Sequence, residues 1–365
     1  MKKNTAGFMV MTAFMALAIM VALVTQYLLF SGTYIRYAYI FNEREKAKIL
    51  ARSGIAIALS QLSLCDKTMI KSWGKSNEEI AEKRKDPIQR QKYLLKVLLT
   101  VVNRWQVFEC TEKNDGIEGT IKIAIVCEDG KLPLQALLNY EKREYVRLGN
   151  AKQKDGKEFL IDFFERYKKY ADDQDLMPVF EEWFKKTGYY LIDVTQLMTI
   201  DGFKKIRNQL FFTPQEAIGD DTSEEKNEKK TKKRVFLTDA MTLEVETPMM
   251  CPFLFSESIK VLYDLCKGTR FFSQEQIDEI IENVSLQSIS WQQVWDTYCK
   301  DVYGKDFKSL PEDFALLLST KFEPKAFSVV CYAKAGRVEQ KLVALITRNF
   351  TKQGEIFEIK RIYWL

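Results

Sequence analysis

The sequence predicts an α+β fold: a long N-terminal helix resting on an antiparallel sheet, with a large helical domain inserted between the strands. Three observations predict it. Thirty-two residues, Asn4 to Ile35, carry no charge, and a helical pattern runs on from them to about Leu62. Two stretches, near 105–140 and over the last 40 residues, alternate with period two. Between them the apolar residues recur at helical spacing.

The charge-free run comes first. A helix crossing a bilayer needs about 20 mostly apolar residues, and Phe8 to Phe30 supplies 23. This predicts a transmembrane helix over 8–35, in contact with membrane lipid. Lys2 and Lys3 stand on its short side. Positive residues near a span tend to stay cytoplasmic, and long domains cross largely regardless of charge. The expected topology is therefore single-pass, with a cytoplasmic N-terminus and an outward-facing body. A cleaved secretory signal would have a shorter apolar core followed by a small-residue site. Here the small-residue junction is Gly7-Phe8, ahead of the run, so residues 1–7 read as a leader.

Residues 36–65 continue the helix. Ala47, Ala51, Gly54, Ala58 and Leu62 recur at spacings of four and three, which is one helical face. The segment reads as an amphipathic continuation packed on the body. Residues 66–104 are charged and helical in propensity, with Lys83-Arg84-Lys85 and a stripe of Leu94, Leu95, Leu98, Leu99 and Val102. No role is assigned to them. In residues 105–150, Ile121, Ile123 and Ile125 alternate with Lys122 and Ala124, and Trp105 to Cys110 is the matching partner strand. Asn114-Asp115-Gly116 is the turn between them.

Residues 151–322 read as the inserted helical domain. Phe159, Leu160, Phe163, Phe164 and Tyr167 form one apolar face, and Phe180, Trp183 and Phe184 another. Ile259, Leu262 and Leu265 form a third, and Ile277, Ile280, Ile281 and Val284 a fourth. The charged stretch 219–234 has almost no apolar residues to bury and is expected to be a solvated loop dividing the domain into two lobes. Residues 323–365 return to alternation, broken at Ala335-Gly336 and Gln353-Gly354, and predict a meander joined by short turns.

The N-terminal layout resembles that of type IV prepilins and type II secretion pseudopilins. In those families a short basic leader ends in Gly, the next residue becomes the new N-terminus, and one long helix follows. Lys2, Lys3, Gly7 and Phe8 stand in these places. The fifth residue after the cut, usually Glu, is Thr12 here, and the minor pseudopilins of the general secretion pathway protein K family typically lack that Glu. Ala47 to Leu62 is similar to the small-residue stretch that follows the anchor in this family. Asp129-Gly130-Lys131-Leu132-Pro133-Leu134 and Asp239-Ala240-Met241-Thr242-Leu243-Glu244 stand where it has two short motifs, although Pro133 and Gln135 replace the Asn-rich part of the first.

The resemblance implies a pilin-type sheet and a non-enzymatic role at the tip of a periplasmic pseudopilus in type II secretion. It implies a bacterial inner-membrane location, processing by a prepilin peptidase at Gly7/Phe8 with methylation of the new amine, and other minor pseudopilins as partners. Thr12 would be an assembly residue. Calcium is implied by the family alone. The acidic clusters present, Asp172, Asp173 and Asp175, then Asp220 and Asp221, match no calcium-loop pattern and identify no ligands.

Composition points away from catalysis. There is no histidine in 365 residues, which removes Ser-His-Asp and Cys-His sites and the commonest zinc ligand. No phosphate-binding loop is present. No small-molecule substrate and no cofactor are expected. Seven cysteines show no zinc-type spacing. Cys110 and Cys127 flank the predicted hairpin and are the candidate disulfide, against the alternative that the cysteines are small buried residues. Two other functions fit parts of the sequence. One is a minor subunit of a type IV pilus or DNA-uptake apparatus. The other is a membrane-anchored nucleic-acid binder using a helix–turn–helix over Val194–Leu210, with Lys204, Lys205 and Arg207 on the phosphates. A net charge of +5 over the whole chain is small for the latter.

Overall fold

The structure, a computed structural model, describes residues 5–72, 96, 98–139, 141–147, 155–171, 173–188, 191, 193–206, 235–244, 249–268, 271–283, 291–318, 324–351 and 354–365. Helix α1 spans Thr5–Ser72 without a break. It has two environments. From Met9 to Phe41 its large apolar residues stand exposed. From Glu43 onward one face turns inward, with Ala47, Leu50, Ala51, Ile55, Ala58 and Leu62 buried. By length and composition α1 is long and apolar enough to cross a membrane.

The inward face meets a five-stranded antiparallel sheet of order β1-β2-β7-β8-β9. Its strands are β1 (Trp105–Cys110), β2 (Gly119–Cys127), β7 (Ala326–Ala335), β8 (Val338–Thr351) and β9 (Gly354–Trp364). Four short strands lie between: β3 (Leu132–Pro133), β4 (Leu138–Asn139), β5 (Glu144–Tyr145) and β6 (Met241–Thr242). The two predicted strand regions thus join through the β2–β7 pair, where Ile123 lies opposite Cys331. Everything between these strands is an insertion. Alternation explains the faces. Ile121, Ile123, Ile125, Val329, Cys331, Ala333, Leu342, Ala344 and Ile346 belong to the main core with α1. Val330, Tyr332 and Val343 form a smaller cluster on the other face.

Gly54 is where helix and sheet come closest. A Cβ there would stand 2.3 Å from Cys331 Sγ and 2.9 Å from Ile121 Cγ2. Gly54→Leu is therefore expected to destabilise the body by about 1–3 kcal/mol through overpacking, read as a lowered urea midpoint of the detergent-solubilised chain. Gly32→Ala is the control, since nothing lies within 4 Å of that position.

The insertion is less helical than its periodicity predicts. Helices α2 (Gly156–Lys168), α3 (Met177–Lys186), α4 (Glu257–Leu262) and α5 (Gln274–Asn283) bury the expected faces, including Phe159, Phe163, Phe180, Phe184, Ile259 and Ile277. Between them the chain advances by single turns: 3-10 turns over Val194–Thr199 and Pro252–Leu254, and a π-helical turn at Trp295–Cys299. Large rings fill the space instead of long helices, as where Phe255 packs on Trp295, Tyr303 and Phe314. The described parts of both halves bury into one continuous core with the sheet. The loop predicted at 219–234 lies outside the described residues, as does most of 66–104. Leu98, Leu99 and Val102 of that segment are buried.

Candidate functional site

Two regions of the chain are candidates for a functional role: the free half of α1, and the base of the insertion where it meets the sheet. Gly7 and Phe8 lie in the first turns of α1. Thr12 follows on the same helix, exposed, and its Oγ1 donates to the Met9 carbonyl at 2.9 Å. A hydroxyl bonded back to its own helix adds no charge at this level of α1.

The body begins at Glu43. Its side chain is buried, and Oε2 accepts the Arg337 N–H at 3.3 Å in the turn between β7 and β8. Gly336 in that turn has φ +54°, and a Cβ on it would collide with the Glu43 carboxylate. The first charged residue of the packed half thus seats the sheet against the helix.

The base of the insertion brings together the two short motifs noted in the sequence. β3 pairs in parallel with β6, Leu132 opposite Met241 and Pro133 opposite Thr242. Lys131, just before β3, is 1% exposed. Its ammonium donates to Glu128 Oε1 at 2.5 Å, to the Thr238 carbonyl at 2.8 Å and to Ser328 Oγ at 3.2 Å. The Ser328 hydroxyl also donates to Glu128. One buried ammonium therefore touches the end of β2, the insertion and strand β7. Buried charge is tolerable when paired and hydrogen-bonded in this way.

Asp239 completes the cluster. It is buried, its carboxylate accepts the Ser258 N–H at 2.8 Å, and its carbonyl accepts the Ser256 hydroxyl at 2.5 Å. Burial pushes its carboxyl up, opposed by the Lys131 charge and the Ser258 hydrogen bond. A second set of ties joins β9 to the insertion. Arg361 Nη1 lies 2.9 Å from Asp193 Oδ2 and 3.1 Å from Glu244 Oε1, and Lys360 Nζ lies 2.5 Å from Glu244 Oε2. Tyr363 donates to Asp193. The cavity between these groups, about 60 Å³, is lined by Glu128, Asp193, Glu244, Ser328, Arg361 and Tyr363. That is room for a few waters. The arrangement holds elements together; it does not converge on a reacting atom. Sequence reading placed both motifs but missed their contact, because a parallel pair of residues 109 positions apart leaves no local signal.

Two expectations are corrected here. Cys110 and Cys127 do not approach each other. Cys110 stands opposite Gly119 at one end of the hairpin, while Cys127 is at the far end of β2, eight residues along. At about 3.3 Å per residue no disulfide can span that length, and both are free thiols. The helix–turn–helix also fails. Val194–Thr199 is a 3-10 turn capped by Asp193, and Asp201–Lys204 is a single helical turn. Lys204 pairs with Asp201 at 2.6 Å. Arg207 and the remainder to Leu210 lie outside the described residues.

Asp220 and Asp221 also lie outside them, and so does Asp172. Asp175 stands just ahead of α3 and accepts the Met177 N–H at 3.2 Å. Among the described residues no group of three or more Cys, Asp or Glu side chains is placed to hold a metal ion.

No family model matches the chain. No curated protein matches it. Among solved structures it is similar to a chain in the crystal structure of the GspK-GspI-GspJ complex from the enterotoxigenic Escherichia coli type 2 secretion system. The identity is 12%, the match covers 90% of this chain and 99% of that chain, and the TM-score is 0.40. A likeness that distant supports nothing by itself.

Proposed function

We propose that the chain is a non-enzymatic minor pseudopilin, a membrane-anchored subunit that enters a bundle of similar helices through α1 and ends it with its bulky inserted domain. One observation supports this above others. A single helix of 68 residues is apolar and exposed in its first half and sealed against a sheet in its second. Met9 to Phe41 is 33 residues, about 50 Å of helix at 1.5 Å per residue. The hydrocarbon core of a bilayer is about 30 Å thick. Lipid alone does not cover such a rod, and sibling helices would cover the remainder.

On this reading a prepilin peptidase cuts after Gly7, the new amine of Phe8 is methylated, and the body faces away from the cytoplasm. Thr12 supplies no carboxylate where pilin relatives use one to meet a neighbour's amine, so no further subunit is recruited above it. The partners are other minor pseudopilins, held through the exposed face of α1.

Intact-mass measurement of the membrane-extracted protein tests the proposal. The expected mass lacks residues 1–7 and carries one added methyl group. Gly7→Ala is expected to leave the leader in place. A wild-type protein that retains residues 1–7, or a Gly7→Ala protein cut as completely as wild type, would overturn it.

A further inference from the structure

Three buried thiols stand at the end of β2 and in two turns of the insertion. Cys127 ends β2, Cys251 precedes the 3-10 turn at Pro252, and Cys299 ends the π-helical turn. Cys127 and Cys251 flank one residue, Asp129. The Cys127 thiol donates to Asp129 Oδ2 at 3.4 Å. The Cys251 N–H donates to the Asp129 carbonyl at 2.7 Å, and five residues on the Ser256 N–H donates to the Gly130 carbonyl at 3.1 Å. The two segments lie so close that a Cβ on Gly130 would fall 1.8 Å from the Leu254 carbonyl oxygen. Burial raises the Cys127 thiol, with Asp129 and then Cys251 adding to the effect.

We propose that Cys127 and Cys251 join in a disulfide when the body folds in an oxidising compartment, tying the end of β2 to the inserted domain. This rests on the outward placement of the body argued above. The oxidant is a protein disulfide, of the kind that oxidising compartments maintain. The Cys251 sulfur attacks it, forming a mixed disulfide as one S–S bond of the oxidant breaks, and the Cys251 proton passes through water to the thiolate released. The Cys127 thiol gives its proton to the Asp129 carboxylate, and its sulfur attacks the Cys251 sulfur. The new S–S bond forms as the oxidant's second thiolate leaves. The two cysteines lose two electrons and the oxidant gains them. Cys127 and Asp129 are neighbours in one short turn, so this proton path exists before the insertion docks and buries both sulfurs. Both are thiols in this structure.

The full chain is made in cells, lysed in denaturant with N-ethylmaleimide, and digested without reduction. Trypsin cuts after Lys122 and Lys131, after Arg234 and Lys260, and after Arg270 and Lys300, so the three cysteines fall in separate peptides. Protease protection in intact and opened spheroplasts reports independently which side the body occupies. With the body outside, a linked peptide pair carrying Cys127 and Cys251 is expected, two hydrogens lighter than the free pair. It should persist in Cys299→Ser and vanish in Cys127→Ser. Full alkylation of both cysteines, or a link from Cys251 to Cys299, would overturn the proposal. A body found inside defeats the placement alone; the pair is then judged on the detergent-extracted full chain refolded with oxidised glutathione, by the same two outcomes.

Discussion

Lys131→Met is expected to cost the fold about 3–5 kcal/mol, the usual penalty for removing one partner of a buried ion pair. Methionine nearly matches the shape of lysine, so the loss isolates the charge. Three acceptors lose their donor at once: the Glu128 carboxylate, the Thr238 carbonyl and the Ser328 hydroxyl oxygen. Glu128 is 3% exposed, so bulk water does not compensate for the lost ammonium. The total stability of a domain is about 5–15 kcal/mol, and this one contact is therefore a large share of it. Denaturant unfolding of the purified chain measures the effect. Glu128→Leu combined with Lys131→Met should recover most of the loss, since a buried pair replaced by apolar groups of similar volume is often neutral. An unchanged midpoint for the single variant would show that water reaches the cluster.

The second large effect is a pH dependence set by Asp129. As a residue it is only partly covered, but its carboxyl points inward against Cys127. Burial pushes the carboxyl up from 3.8 to about 6, with the Glu128 charge adding and the Cys127 hydrogen bond opposing. The folded state therefore holds this proton more tightly than the unfolded chain. Its stabilising contribution is complete below about pH 4 and is lost as pH rises to about 6. At 1.36 kcal/mol per unit, wild type should lose up to about 3 kcal/mol relative to Asp129→Asn between pH 4 and pH 7. Paired unfolding curves of the two proteins across that range are the measurement. Parallel curves would place the carboxyl in water.

Local chemistry explains what could be read before any coordinates. The buried stripe Ala47, Ala51, Gly54, Ala58 and Leu62 repeats because a helix lying on a sheet hides one face every turn. The alternation at Ile121, Ile123 and Ile125 appears because a strand sends alternate residues to opposite faces. Turn residues mark the ends of both, as at Gly116 and Gly336, which adopt positive φ. Where larger packing decides, the local pattern misleads. Val194–Lys204 has the spacing of a helix pair, yet Asp193 caps it with one carboxylate oxygen and meets Arg361 and Tyr363 on β9 with the other, and the segment forms a 3-10 turn and a single helical turn. The cysteines failed for a related reason. Flanking a hairpin in sequence is not the same as facing across it, because antiparallel register sets Cys110 opposite Gly119.

The sequence by itself determined the long apolar N-terminal helix, the two strand regions and the presence of an insertion. All of these follow from periodicity within a few turns of chain. Only the tertiary structure decided that β2 pairs with β7 across the insertion, that Asp129–Leu134 and Asp239–Glu244 meet through the β3–β6 pair and a buried ammonium, and that Cys127 and Cys251 both contact Asp129. Those pairings join residues more than a hundred positions apart, and contacts at that range are chosen by which burial leaves no charge or backbone group unpaired, a property of the whole chain that no short window contains.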